Sequence, residues 1–203
     1  MIIPSPVNSK EPKIHEKAFI SPAAMIIGDV EIGEGTNVWA GVTVRGALCS
    51  VKIGKNCSIQ ENCVIHSEAG TGVIIEDNVL IGHGAIVHGP GDVGEGTMVG
   101  IGAIKLQGKK VGKGCVIGAG AVVTKHVEER KKVVGIPAKE IGEISDREYK
   151  QNLSSIANYA GLGKAFLDNK LDHREGKNPL RRPRARRRRP ARPGGPAADG
   201  MIR

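Results

Sequence analysis

From Ile20 to Val123 an aliphatic side chain returns at almost every sixth position: Ile20, Ile26, Ile32, Val38 and Val44, then Ile53, Ile59 and Ile65, then Ile75, Ile81, Val87, Val93 and Val99, and finally Val111, Ile117 and Val123. A small residue follows four places after most of them, as at Thr36, Cys57, Cys63, Ala85, Thr97, Ala103, Cys115 and Ala121. A short fixed period of this kind is the mark of a parallel β-helix built from hexapeptides. Three hexads make one triangular coil, the aliphatic residue fills the interior, and coils stack on one another. The chain is therefore expected to be an all-β solenoid. The scarcity of aromatic residues (Phe19, Trp39, Tyr149, Tyr159 and Phe166) agrees, because an interior of Ile and Val has no room for large rings. The 29 glycines suit tight corners, where positive φ is often required.

Taking the hexads in rotation assigns each to one of three walls. The first wall receives those beginning at Ile26, Val44, Ile65, Val87 and Val123. The second receives those at Ile53, Ile75, Val93 and Val111, and the third those at Val38, Ile59, Ile81, Val99 and Ile117. Three extra residues before Ile53 and four before Ile75 read as short corner loops. His66 and His88 each follow an interior aliphatic residue of the first wall, one coil apart, so they are expected to stack at about the 4.8 Å spacing of neighbouring strands. Arg45 holds the same place one coil earlier. His83 lies on the third wall, two places after Ile81, with Glu61 one coil below it and Gln60 beside Glu61. Walls of a triangular prism face away from one another. The three histidines can share a ligand only if a second copy brings its His83 wall against the His66–His88 wall, and a trimer with three equivalent head-to-tail interfaces does this. Three imidazoles with a fourth position open to water is the pattern of a catalytic zinc site rather than a structural one. His15, His126 and His173 show no such registration and read as ordinary surface residues.

The stretches Val38-Trp39, Val44-Arg45-Gly46, Ser58-Ile59-Gln60-Glu61-Asn62, Val64-Ile65-His66 and Ile81-Gly82-His83-Gly84-Ala85-Ile86-Val87-His88-Gly89 resemble the γ-class carbonic anhydrase family, in its shorter form without a long acidic loop. The resemblance runs from about residue 10 to about residue 170 and includes Val134-Gly135-Ile136-Pro137-Ala138-Lys139. It implies a left-handed β-helix, a homotrimer, and one metal per interface, with His66 and His88 from one subunit and His83 from its neighbour. It also implies a catalytic place for Gln60, which would orient carbon dioxide or hydroxide, for Glu61 in the position of an acidic neighbour, and for Arg45 at the interface. The chain departs from the family pattern at Arg45-Gly46-Ala47, where a carboxylate usually stands in place of Ala47. It also lacks the loop that carries a proton-shuttling glutamate in some members; Glu68 is the acid of the short loop after His66. Tyr159 on the C-terminal helix aligns loosely with tyrosines that approach the site in some short members.

The implied chemistry is hydration of carbon dioxide to bicarbonate and a proton, with Zn2+ lowering the pKa of bound water to about 7. Fe2+ or Co2+ would suit the same nitrogen donors. Two other readings stand beside it: a hexapeptide-type acyltransferase using one histidine as base, and a structural protein that keeps the metal without turnover.

Residues 1–138 are expected to form the β-helix, with 1–13 as lead-in, and 139–173 a helical region. In that region Ser145 and Glu148 form a capping box, Leu153, Ile156 and Ala157 share a face, and Gly161 and Gly163 suggest a break before Phe166. Residues 174–203 hold eleven basic and two acidic side chains, a net of +9 that equals the charge of the whole chain. Their five prolines and absence of aromatics make a disordered basic tail the expectation. Such a tail can attract nucleic acid or an anionic surface, but it has no interleaved aromatics for base stacking, and a solvated extension is the favoured reading. Cys57, Cys63 and Cys115 take the small-residue place inside hexads and Cys49 a corner loop, without Cys-x-x-Cys spacing. With no apolar run of signal-peptide or membrane-spanning length, a cytoplasmic location is expected.

Overall fold

The inward-pointing aliphatic residues close the chain into a prism. In the computed structural model, which describes residues 1–173, it is a left-handed parallel β-solenoid of about six coils followed by one helix, α1 (Asp146–Asp168). Parallel pairing joins each coil to the next with no slip of register along the first wall: Ile26 faces Val44, Val44 faces Ile65, Ile65 faces Val87, Val87 faces Lys105 and Lys105 faces Val123. The third wall runs Ile20, Val38, Ile59, Ile81, Val99, Ile117 and Val133 in the same way. The second wall continues from Ile53 and Ile75 through single bridges at Val93, Val111 and Val127. Apart from Lys105 and the half-buried Val127, these inward positions form one buried apolar core, as the six-residue period requires. The small-residue places are buried too. The thiols there behave as small hydrophobes, and burial pushes Cys57 up to about 12 and Cys63 up to about 11.

Several expectations about local structure need correction. The three residues inserted before Ile53 do not make a corner loop. Thr43–Ile53 is one bent strand, which bulges opposite Gly28 and Val30 of Met25–Ile32 and then pairs with Gly72–Ile75. Gly28 turns through φ 78 there, and a Cβ on it would lie 2.5 Å from the Gly46 carbonyl oxygen, so only glycine lets the two coils approach. Cys49 consequently lies buried in a strand rather than in a loop. The four residues inserted before Ile75 do form a loop, tied by a 2.8 Å hydrogen bond between the Ser67 and Thr71 hydroxyls. The lead-in joins the prism directly, since Ile2–Ile3 and Lys13–Ile14 each pair with Met25–Ile32.

The C-terminal region is helical only from Asp146. Lys139–Glu143 is a strand, antiparallel to Lys131–Val134, because the prism's last strand offers an open edge that the following segment pairs with before any helix begins. The capping box forms as expected: the Glu148 N–H donates to the Ser145 hydroxyl, and the Ser145 N–H donates to the Glu148 carboxylate. α1 runs unbroken through Gly161 and Gly163. Gly163 is buried where a Cβ would lie 2.6 Å from the Asn37 Cβ, so it lets the helix touch the wall instead of breaking it.

α1 lies along the third wall, directed from the last coils back to the first. Near its start Lys132 pairs with Glu148 and the Arg130 guanidinium sits 3.8 Å over the Tyr149 ring. Further on, the Asn37 amide donates to the Tyr159 carbonyl, and Phe166 packs edge-on to Trp39 and tilted against Phe19. Beyond the helix, the buried Asp172 carboxylate accepts the Ile20 N–H and contacts the half-buried His173. Ile156 supplies the buried contact of the inner face, whereas Ala157 faces solvent. The expected tail at 174–203 lies outside the described residues.

Candidate metal centre

The register places Arg45, His66 and His88 in one outward column of the first wall: Arg45 faces His66, and His66 faces His88. The column exists because each of these residues follows an inward aliphatic residue, and strand alternation turns it outward. The two imidazoles meet with ring centroids 5.5 Å apart. His66 Nδ1 lies 2.8 Å from the Arg45 carbonyl oxygen and donates to it, which leaves the Nε2 lone pair free for a ligand. The Cys49 sulfur stands 3.6 Å from the same Nδ1. For His88 the corresponding neighbour is Glu68, with 3.7 Å between Oε1 and Nε2.

His83 and Glu61 share a corner of the third wall. Each is followed by a residue with positive φ, Asn62 at 63 and Gly84 at 67, and each projects from the turn into solvent. The Glu61 carboxylate lies 2.7 Å from His83 Nδ1. A carboxylate on one ring nitrogen fixes the tautomer that presents the other to a metal. Gln60, 4% exposed, takes the His83 N–H on its Oε1 at 3.2 Å. Arg45, Gln60, Glu61, His66, His83 and His88 therefore fall into two groups on two walls. Among the described residues no three or more His, Cys, Asp or Glu of one chain are close enough to hold a metal ion. The donor chemistry nevertheless fits one: His66 and His83 each present a free Nε2 with Nδ1 held from behind.

Other surfaces bear on this arrangement. The residues just before the inward column of the first wall form an outward ladder of Met25, Thr43, Val64, Ile86, Ile104 and Val122. Met25 and Val64 are exposed in the single chain, so the His66–His88 wall carries an apolar stripe beside its histidines. Ile101, which follows His83 in its corner column, is 59% exposed. The main-chain carbonyl of Tyr159 accepts the Asn37 amide at 3.0 Å, which ties this turn of α1 to the third wall. Ala47 offers only its carbonyl, which receives the Ser5 hydroxyl at 2.9 Å.

Two contributors escaped the sequence reading. Cys49 was hidden because the bulge brings it inward. Lys105 was visible as the one gap in the six-residue aliphatic series between Val99 and Val111.

Two hexapeptide-repeat family models match the chain: bacterial transferase hexapeptide (six repeats) at residues 11–46, and hexapeptide repeat of succinyl-transferase at 50–89 and 92–125. A carbonic anhydrase from Geobacillus kaustophilus is 40% identical over 83 residues, 41% of this chain and 46% of that protein. The carnitine operon protein CaiE of Escherichia coli is 32% identical over 139 residues, 68% of this chain and 70% of that one. A crystal structure of a hexapeptide transferase family protein from Anaplasma phagocytophilum superposes with a TM-score of 0.76 at 30% identity, covering 82% of this chain and 98% of that one. The chain spans only 32% to 48% of the length of the carbonic anhydrases it matches. Among the described residues no helix is long and apolar enough to cross a membrane.

Proposed function

Because this chain belongs to the γ-carbonic-anhydrase-like hexapeptide-repeat family, we propose that it hydrates carbon dioxide to bicarbonate and a proton at a metal site shared between copies of a homotrimer. The observation that carries this reading is the pairing of two prepared ligand sets on different walls: His66 and His88 one coil apart, and His83 backed by Glu61. His66 and His88 of one copy and His83 of its neighbour would hold the ion. Zn2+ there supplies Lewis-acid activation of water near neutral pH; Fe2+ and Co2+ are accepted by the same donors. The apolar ladder beside His66 and His88 and the exposed Ile101 beside His83 support contact between these two walls, since apolar surface favours burial.

The protein's own part is to hold and orient. The Arg45 carbonyl and the Glu61 carboxylate lock the imidazoles of His66 and His83 from behind. Gln60 has its Oε1 committed to the His83 N–H, so its Nε2 hydrogens remain to orient a small polar ligand. Glu61 is committed to His83, and Glu68, 3.7 Å from His88, is the carboxylate that would take up the released proton.

Two observations keep other readings in view. Ala47 in place of the family's carboxylate favours a metal-holding protein of low turnover. The hexapeptide transferase of similar fold favours a transferase, for which acyl transfer with a histidine as base is the reading to test. Metal content per assembly, followed by stopped-flow hydration of carbon dioxide by the wild type and His83→Ala, separates them. The expected result is about one zinc per interface, with hydration that falls to background when His83 is lost. A monomeric protein, or an assembly that takes up no transition metal, would overturn the proposal. Metal without hydration selects the low-turnover reading, and acyl transfer without metal selects the third.

A further inference from the structure

Along the first wall the inward rungs Ile26, Val44, Ile65, Val87 and Val123 are aliphatic; between Val87 and Val123 the rung is Lys105, and it is 1% exposed. A lysine that served packing alone would be outdone by the valine of its neighbours, because a buried ammonium is unfavourable unless oxygen atoms receive its hydrogens. The Lys105 ammonium donates to the His88 carbonyl at 3.0 Å and to the Pro90 carbonyl at 3.4 Å. The three histidines are thus secured differently. His66 and His83 are fixed through their rings, by the Arg45 carbonyl and the Glu61 carboxylate. Among the described residues the His88 ring meets the His66 ring, with centroids 5.5 Å apart, and Glu68 at 3.7 Å, beyond hydrogen-bond distance. The main-chain carbonyl of His66 accepts the Gly89 N–H of the coil above, and for His88 the Lys105 ammonium takes that part.

We infer that Lys105 is a positioning residue for the metal centre, holding His88 through its main chain from inside the prism while the other two histidines are held from outside. This inference rests on the reading of His88 as a metal ligand. Lys105 touches neither metal nor substrate. Its effect passes through the backbone from His88 to Pro90, where the Gly108 N–H also donates to the Pro90 carbonyl at 2.7 Å and ties the same turn to the next coil.

The test uses the full-length assembly with Lys105→Met, which keeps the stem and removes the charge, and Lys105→Val, which restores the residue type of the other rungs. Zinc affinity is measured by competition with a chromophoric chelator. Amide hydrogen exchange over 88–92 and at Gly108, and the unfolding midpoint, are measured on the metal-free protein. We expect zinc binding about 10–100-fold weaker, faster exchange confined to this turn, and a midpoint that does not fall. A structural role alone would lower the midpoint and loosen the prism throughout, and that pattern overturns the inference. So does a wild type that binds zinc alongside variants that bind it equally well. A wild type that binds no zinc defeats the functional reading first, and is recognised because the fault lies in the wild-type arm.

Discussion

Ile74 and Ile75 are the same residue type, adjacent in one strand, and opposite in fate, so they measure how much of the stability resides in the interior column. Ile75 is 0% exposed between Ile53 and Val93, whereas Ile74 is 43% exposed on the outer face of the second wall. Truncation to alanine removes three carbon atoms, about 2.4 kcal/mol of transfer free energy at ~0.8 kcal/mol per buried group. At Ile75 the rungs above and below are fixed by backbone hydrogen bonds and cannot collapse into the gap. A cavity contribution therefore adds to the loss, and Ile75→Ala is expected to cost about 3–4 kcal/mol. At Ile74 about half the side chain is already in water and no cavity forms, which leaves a cost of about 1 kcal/mol. Urea unfolding followed by circular dichroism, at one fixed protein concentration and with comparable slopes, reads the difference. Costs that agree within about 0.5 kcal/mol would show that the alternation of inward and outward side chains does not govern stability as argued.

Two helix glycines should respond in opposite directions. Gly163→Ala, which drives a Cβ against Asn37, should destabilise by about 2 kcal/mol, whereas Gly161→Ala, with open space around it, should stabilise by about 0.5–1 kcal/mol; thermal unfolding of the two variants checks both. Glu148 is held down at about 2 by its hydrogen bond to Lys132 and by those from Ser145. Its folded pKa lies below the ordinary 4.5, so its stabilisation is present above about pH 4.5 and lost as pH falls toward 2. Glu148→Gln should accordingly flatten the acid limb of unfolding monitored at 222 nm, and an unchanged limb would refute the assignment.

Much of this architecture was legible in the chain because a six-residue period carries both the local conformation and the stacking. The wall assignments of Arg45, His66, His83 and Glu61 followed from counting alone, and the register agrees with each. Counting failed where backbone pairing overrode it. The insertion after Gly46 kept its hydrogen bonds as a bulged strand, and the segment after Pro137 satisfied an open sheet edge before α1 could begin. Gly163 misled for a related reason: in isolation a helical glycine signals weakness, but beside Asn37 it is a close contact. Lys105 shows the converse, since an interruption in the apolar series marked a buried hydrogen-bonding task that composition could not reveal.

Stacked-coil proteins ordinarily come apart from their ends, because a terminal coil has one neighbour where an inner coil has two. The 23 residues of α1 cover about 34 Å at 1.5 Å per residue, and they carry the chain from Arg130 back to Ile20, where Asp172 receives the first coil's N–H. That return strap gives the two outermost coils a common partner. Fraying at either end must then peel the helix as well, and a ladder that would melt rung by rung is bound to open as a single closed unit.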